Sequence, residues 1–343
     1  SLTGDLYEPV KTAITASGGT VLDIQFASKM HKYIGEDVRP LVMTYIMLLL
    51  NLVILLRGIQ KGIEKISNIL MPMLFALLLI FAFTSLSLPK AVDGLAYFFH
   101  PDFSKITAGV AINALGQAFF SLSLGMGILI TYSSYFPKST KLGRTAVTVS
   151  LLDLLVAILM GIIIFPAVMS FGLSGHKLSG TTLVFVTLPE VFAQMPYTRL
   201  WSTLFFMLLM VAALTSTISL AEVAVAYIKD KLNVTRKKAC YIIITPLFFM
   251  SSICSLSQGS LSGIKIAGMD IFGFLDTVAT NYMLPVAALL TCLFLGWKAP
   301  KGFLHKEITN NGTVVSKTYP VIETIIRYIA PILILLIIIS NYL

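Results

Sequence analysis

Apolar residues dominate this chain in long runs, and polar residues gather in the short stretches between them. The runs fall at about 40–56, 67–89, 107–136, 145–172, 200–228, 239–256, 271–297 and 321–342. Each is close to or longer than the roughly 20 apolar residues with which an α-helix crosses a bilayer core, so the pattern predicts eight spanning helices. The 239–256 run is the shortest, and its helix is expected to extend into its flanks. Residues 1–38 are mixed in character, and 21–36 carry the pattern of a short amphipathic helix. The interval 173–199 is longer than the other connections. Thr187-Leu188-Pro189-Glu190 is suited to starting a short helix there, as a lid or as a plain solvated connector.

Charge gives the spans an orientation. One set of loops holds fifteen Lys and Arg: Arg57, Lys61, Lys65; Lys138, Lys141, Arg144; Lys229, Lys231, Arg236, Lys237, Lys238; Lys298, Lys301, Lys306, Lys317. The opposite loops hold five: Lys90, Lys105, Lys177, Arg199 and Lys265. The positive-inside rule puts the first set in the cytoplasm and residues 1–38 and the C-terminus outside. Composition agrees with a multi-pass membrane protein. Hydrophobic residues are 57% and charged residues 12%, against about 25% charged in soluble domains. The +9 net charge lies in loops between apolar runs, which argues against a nucleic-acid partner. Cys240, Cys254 and Cys292 lie in or beside spans without metal-ligand spacing. His31, His100, His176 and His305 lie in or at the edges of loops, so neither a metal cluster nor a nucleophile–base pair is expected, and an enzyme is not.

The third run contains the most informative segment. Gly116 to Gly127 holds Gln117, Ser121, Ser123 and three glycines inside an otherwise apolar span, and Gly125-Met126-Gly127 invites a helix break. A broken helix is tolerated in a membrane only where its freed backbone is buried in protein or lines a cavity. Freed carbonyls and hydroxyls suit a hard cation such as sodium, and half-helix ends suit substrate charges. Small residues also permit close helix packing, which does not account for Gln117 and two hydroxyls beside a break. Asp153 lies between Leu151-Leu152 and Leu154-Leu155. Such a carboxylate has to pair, bind a cation or take up a proton. Thr215 and Ser216 lie mid-span, and adjacent hydroxyls with a backbone carbonyl one turn back can point at one ion. Back-bonding to the preceding turn is the competing role. Gly62 and Pro72 flank the start of the second helix and weaken it, since glycine unwinds easily and proline removes a donor.

Several stretches resemble the neurotransmitter:sodium symporter family, in particular its bacterial amino-acid transporters with the LeuT fold. They are Arg57-Gly58-Ile59-Gln60-Lys61-Gly62-Ile63-Glu64-Lys65; Gly116 to Gly127 with Ile130-Thr131-Tyr132-Ser133-Ser134-Tyr135; Ala213-Leu214-Thr215-Ser216-Thr217; and Phe274-Leu275-Asp276 with Leu284-Pro285. Order and spacing agree with the family's fourth to eleventh helices over nearly the whole chain. The resemblance implies one all-α transporter domain over 1–343: an extracellular segment 1–38, then eight spanning helices over 39–342. It also implies an inverted-repeat bundle without counterparts of the family's first three helices, an N-terminal truncation, so that the fragment alone is expected to be inactive.

By this resemblance, Phe120, Ser121, Ser123, Met126, Ser216 and Leu220 line the substrate. Ser121 and Asp153 lie at the first sodium ion, and Ala212, Thr215 and Ser216 at the second. Gln117 matches a chloride ligand of some relatives. An Asp153 carboxylate standing in for that anion removes the need for chloride. Tyr135, Glu222 and Asp230 belong to the cytoplasmic gate, with Ser134 in the same polar cluster. Asp276 and Phe185 belong to the extracellular gate and lid. The Gly62–Pro72 segment unwinds to open a water path. The expected function is sodium-coupled symport of a neutral, hydrophobic amino acid by alternating access, with sodium ions and no organic cofactor, the lipid bilayer of the cell inner (plasma) membrane as surroundings and the oligomeric state open. A non-transporting membrane remnant with a regulatory or interaction role is the alternative.

Overall fold

A computed structural model of the chain describes residues 21–137, 139–171, 183–309 and 319–340. Lys138, His176, Lys177 and Lys317, residues 173–182 of the 173–199 connection and residues 1–20 lie outside the described residues.

The chain forms helix α1 over Val21–Gly35, α2 over Val38–Leu56, α3 over Gly62–Leu86 and α4 over Ala91–Phe99. Then come α5 over Ala108–Ser121, α6 over Ile128–Ser133, α7 over Leu142–Ser170 and α8 over Leu188–Gln194. Next are α9 over Thr198–Lys231 and α10 over Arg236–Leu256. A two-residue hairpin, β1 Lys265–Ile266 and β2 Met269–Asp270, leads into α11 over Ile271–Lys298. The chain closes with α12 over Phe303–Ile308 and α13 over Tyr319–Ser340. Among the described residues, seven helices are long and apolar enough to cross a membrane: α2, α3, α7, α9, α10, α11 and α13. The predicted run at 107–136 is instead two short helices, α5 and α6, separated by Leu122–Gly127. The helix at 239–256 does extend into its flank, because Thr235 caps it by accepting from the Lys238 amide at 3.4 Å.

α9 is the hub. It packs against α2, α3, α6, α8 and α10. Its buried residues Phe205, Leu208, Val211, Thr215, Ile218, Glu222 and Val225 recur every three or four positions, the period of one helix face. At one end of the bundle Phe81 of α3 sits among Phe192, Trp201 and Phe205, with ring centroids 5.7–5.9 Å away. At the other end, the basic one, Leu55, Ile63, Ile218, Val225, Cys240 and Ile244 knit α2, α9 and α10 together. A third cluster, Phe119, Ala288, Ile334 and Ile337, fixes α5 against α11 and α13. In a membrane such contacts act through close van der Waals packing more than through water exclusion. The α2–α3 corner shows how close: a Cβ added to Gly62 would lie 2.3 Å from the Ile54 carbonyl oxygen, so the backbone turn there admits no side chain.

Candidate functional site

The break between α5 and α6 is built from alternating left-handed residues. Ser123 has φ 54°, Gly125 81° and Gly127 77°. For a residue with a Cβ this region costs about 1–2 kcal/mol, so a left-handed Ser123 is a backbone held in place by its surroundings. The break is pinned from α11: a Cβ on Gly125 would lie 2.3 Å from the Leu284 carbonyl oxygen. Gly125→Ala therefore meets both a strained φ and a backbone clash. We expect it to lower the melting temperature by several degrees and to abolish function. A melt and an activity equal to wild type would show that the break is not rigid.

The end of α5 meets α7 at a carboxylate. The Ser121 hydroxyl donates to Asp153 Oδ1 at 2.6 Å. Leu151, Leu152, Leu154 and Leu155 around Asp153 are exposed on the outside of α7, and Asp153 turns toward α5. Two residues distant in sequence are thus brought together. The Ser121 oxygen keeps its lone pairs when its proton is on Asp153, so both groups still present acceptors to a cation. Phe120 is half-exposed, and Ser123 and Met126 occupy the break beside it.

A second polar line runs down α9. Thr215 is buried, and its hydroxyl donates to the Ala212 carbonyl at 2.9 Å and the Val211 carbonyl at 3.2 Å. The back-bonded arrangement is thus the one present. It holds the Ala212 oxygen and the Thr215 hydroxyl in contact, and a cation would draw the hydroxyl proton away from that carbonyl. Ser216 is exposed next to it. Ser219 donates to the Thr215 carbonyl at 2.9 Å and accepts from the Tyr132 hydroxyl at 2.7 Å. Glu222, fully buried, accepts from the Tyr135 hydroxyl at 3.0 Å and from both Arg236 guanidinium ends at 2.9 and 2.5 Å. Arg236 Nε also donates to the Leu55 carbonyl at 2.8 Å, the end of α2. Sequence reasoning had set Arg236 among the loop cations. The signal it missed is the spacing 215, 219, 222, which puts three polar side chains on one face of α9 with an arginine in the first turn of the next helix.

The other predicted residues are more dispersed. Leu220 lines a cavity of about 910 Å³ between α2, α9 and α10. Asn51 and Thr217 also line it, and Phe120, Ser121, Ser123 and Met126 do not. Asn51, mid-way along α2, donates to the Met47 carbonyl at 2.8 Å and the Thr217 hydroxyl at 3.1 Å, and clamps α2 to α9. Asp230 is solvent-exposed beside Lys229, 3.8 Å away. Asp276 is exposed in the first turns of α11. Phe185 stacks on Phe206 at 6.2 Å, holding the turn before α8 against α9. Gly62 lies in a π-helical turn over Ile59–Glu64, and Pro72 lies within a continuous helix. Among the described residues no group of His, Cys, Asp and Glu could hold a transition metal.

The sodium:neurotransmitter symporter family model matches residues 19–343. An uncharacterized sodium-dependent transporter of Bacillus subtilis, YhdH, is 34% identical over 328 residues, 96% of this chain and 72% of that protein. An uncharacterized sodium-dependent transporter of Haemophilus influenzae is 36% identical over 299 residues, 87% of this chain and 64% of its own length. The crystal structure of MhsT in complex with L-phenylalanine superposes with TM-score 0.79 at 38% identity, covering 92% of this chain and 71% of that one. This chain therefore spans roughly two thirds to three quarters of these relatives.

Proposed function

The chain belongs to the sodium:neurotransmitter symporter family, a family of membrane transporters and not of enzymes, and from that premise we propose that it serves sodium-coupled symport of a neutral, hydrophobic amino acid by alternating access. It is an all-α, multi-pass membrane protein of the LeuT fold. The observation that carries the reading is the meeting of the α5–α6 break with Asp153 through Ser121. Freed backbone, a hydroxyl and a fixed negative charge at mid-membrane are what a desolvated sodium ion and the ammonium and carboxylate ends of an amino acid require. Ser121 and Asp153 then serve one sodium ion. Ala212, Thr215 and Ser216 serve another, with further oxygens drawn from parts of the transporter outside these helices. Phe120, Ser123, Met126, Ser216 and Leu220 face the substrate. Apolar groups among them favour an apolar side chain, in keeping with the phenylalanine bound by MhsT. Tyr135 and Glu222 close the basic end, with Asp230 nearby. Asp276 and Phe185 belong to the opposite entrance, and the Gly62–Pro72 segment to a water path. The negative charge of Asp153 makes chloride unnecessary.

The test is uptake of radiolabelled phenylalanine by the full-length transporter in proteoliposomes under an inward sodium gradient. Uptake should vanish when potassium replaces sodium, and leucine and tryptophan should compete where glutamate and lysine do not. Equal uptake in potassium would overturn the proposal. Thr215→Ala removes one ligand while keeping the helix. It should raise the sodium concentration for half-maximal uptake roughly 5- to 150-fold, as for about 1–3 kcal/mol of a lost buried polar partner. An unchanged sodium titration would remove Thr215 from the site.

A further inference from the structure

α6, a six-residue helix, and the turn that follows it are bound to α9 by two tyrosine hydroxyls, Tyr132 in the helix and Tyr135 in the turn. Tyr132 reaches Ser219 and Tyr135 reaches Glu222, so donors three residues apart meet acceptors three residues apart, as two rungs. The lower rung ends in the Glu222–Arg236 pair. The upper rung continues: Ser219 donates onward to the Thr215 carbonyl at 2.9 Å, and the Thr215 hydroxyl reaches the Ala212 carbonyl at 2.9 Å. Two linked hydroxyls, Tyr132 and Ser219, thus lead from the inner half of the broken helix to the Thr215 carbonyl, in the same turn of α9 whose Thr215 hydroxyl and Ala212 carbonyl are assigned above to sodium.

We propose that Tyr132 and Ser219 are positioning residues that make the docking of α6 on α9 and sodium occupancy at Thr215 depend on each other; this rests on the assignment of Ala212, Thr215 and Ser216 to sodium. A serine hydroxyl has one proton to give. With Tyr132 donating to Ser219, the Ser219 proton is committed to the Thr215 carbonyl, and this back-bond sets the local bend of α9. Docked α6 therefore holds the Thr215 turn in one shape. A sodium ion on Thr215 and Ala212 holds the same turn. Two events that favour one shape favour each other by equal factors. Movement of α6 away from α9 withdraws the Tyr132 proton, loosens the turn and releases the ion toward the basic end. The ring of Tyr132 packs in the cluster of Ile218 and Val225, so Tyr132→Phe keeps that packing and deletes only the O–H.

The test compares sodium titrations of uptake for Tyr132→Phe, Ser219→Ala, the double variant and Thr215→Ala in the full-length transporter. Each single change should raise half-maximal sodium about 3- to 10-fold, the range for one net hydrogen bond. The double variant should show no more than the larger single effect, because both break one chain. The substrate KM at saturating sodium should stay within about twofold. A role in fold stability alone would not split sodium from substrate in this way. Sodium should also slow amide hydrogen exchange of residues 128–135 in wild type and do so less in Tyr132→Phe. An unchanged titration in Thr215→Ala overturns the sodium assignment and this inference with it. A shift in Thr215→Ala with none in Tyr132→Phe, or additive shifts in the double variant, overturns the inference alone.

Discussion

Replacing Asp153 with alanine abolishes sodium-driven uptake, by more than about 100-fold, near 3 kcal/mol of lost stabilisation. Ser121 then loses its 2.6 Å partner, and the site loses its only carboxylate among the described contacts at the break. A sodium ion beside a zwitterionic amino acid leaves one positive charge unbalanced once Asp153 is gone, and that is costly in a medium of low dielectric. Asp153→Asn keeps a carbonyl oxygen for Ser121 but removes the charge, so it separates the hydrogen bond from the electrostatics. We expect it to fall nearly as far as alanine. Wild-type uptake should be indifferent to exchange of chloride for gluconate. Asp153→Ser should instead depend on chloride, because a mobile anion then has room to take the place of the fixed one. Strong inhibition of wild type by removal of chloride would overturn this account, as would full activity of Asp153→Asn.

The spans were legible because a bilayer leaves the sequence few choices. Any stretch crossing it must satisfy its own backbone and be apolar, so run length and helix length nearly coincide. The run at 40–56 became Val38–Leu56, and 271–297 became Ile271–Lys298. The break was legible as well, since Gly125 and Gly127 mark where left-handed backbone is cheap. Its depth was not. Ser123 takes positive φ without being glycine, and nothing local announces that. The resemblance put Ser121 and Asp153 near one ion without giving the hydrogen bond between them, and hydropathy alone supplied only a carboxylate in need of a partner. The lower end of α9 was read least well. Arg236 has the composition of an orientation signal, and its direction into the bundle is decided by the turn between α9 and α10. Asn233, left-handed at φ 50°, reverses the chain there and lays the first turn of α10 against Glu222.

That reversal creates the second large expected effect. Glu222 is fully buried and its two oxygens are taken by Arg236 and Tyr135. Arg236→Ala leaves the carboxylate buried with one neutral donor. Removing one member of a buried pair destabilises by about 3–5 kcal/mol, mostly through the charge left behind. We expect thermal unfolding of the purified transporter to shift strongly downward. Glu222→Gln leaves a cation that is one-fifth exposed and still bonded to the Leu55 carbonyl at 2.8 Å, so its loss should be much smaller. The double variant, Arg236→Ala with Glu222→Gln, should regain most of the stability lost in Arg236→Ala. It should not regain all of it, because the end of α2 still lacks its donor. The same double variant should leak: the amide oxygen of Glu222→Gln can still accept from Tyr135, but the charged pair that anchors this lower rung to α10 is gone. Sodium efflux from loaded vesicles should quicken even though the fold is restored. A double variant no more stable than Arg236→Ala would show that Arg236 acts through Leu55 and not through Glu222. A stable double variant with wild-type efflux would show that this pair supports the fold and takes no part in closing the basic end.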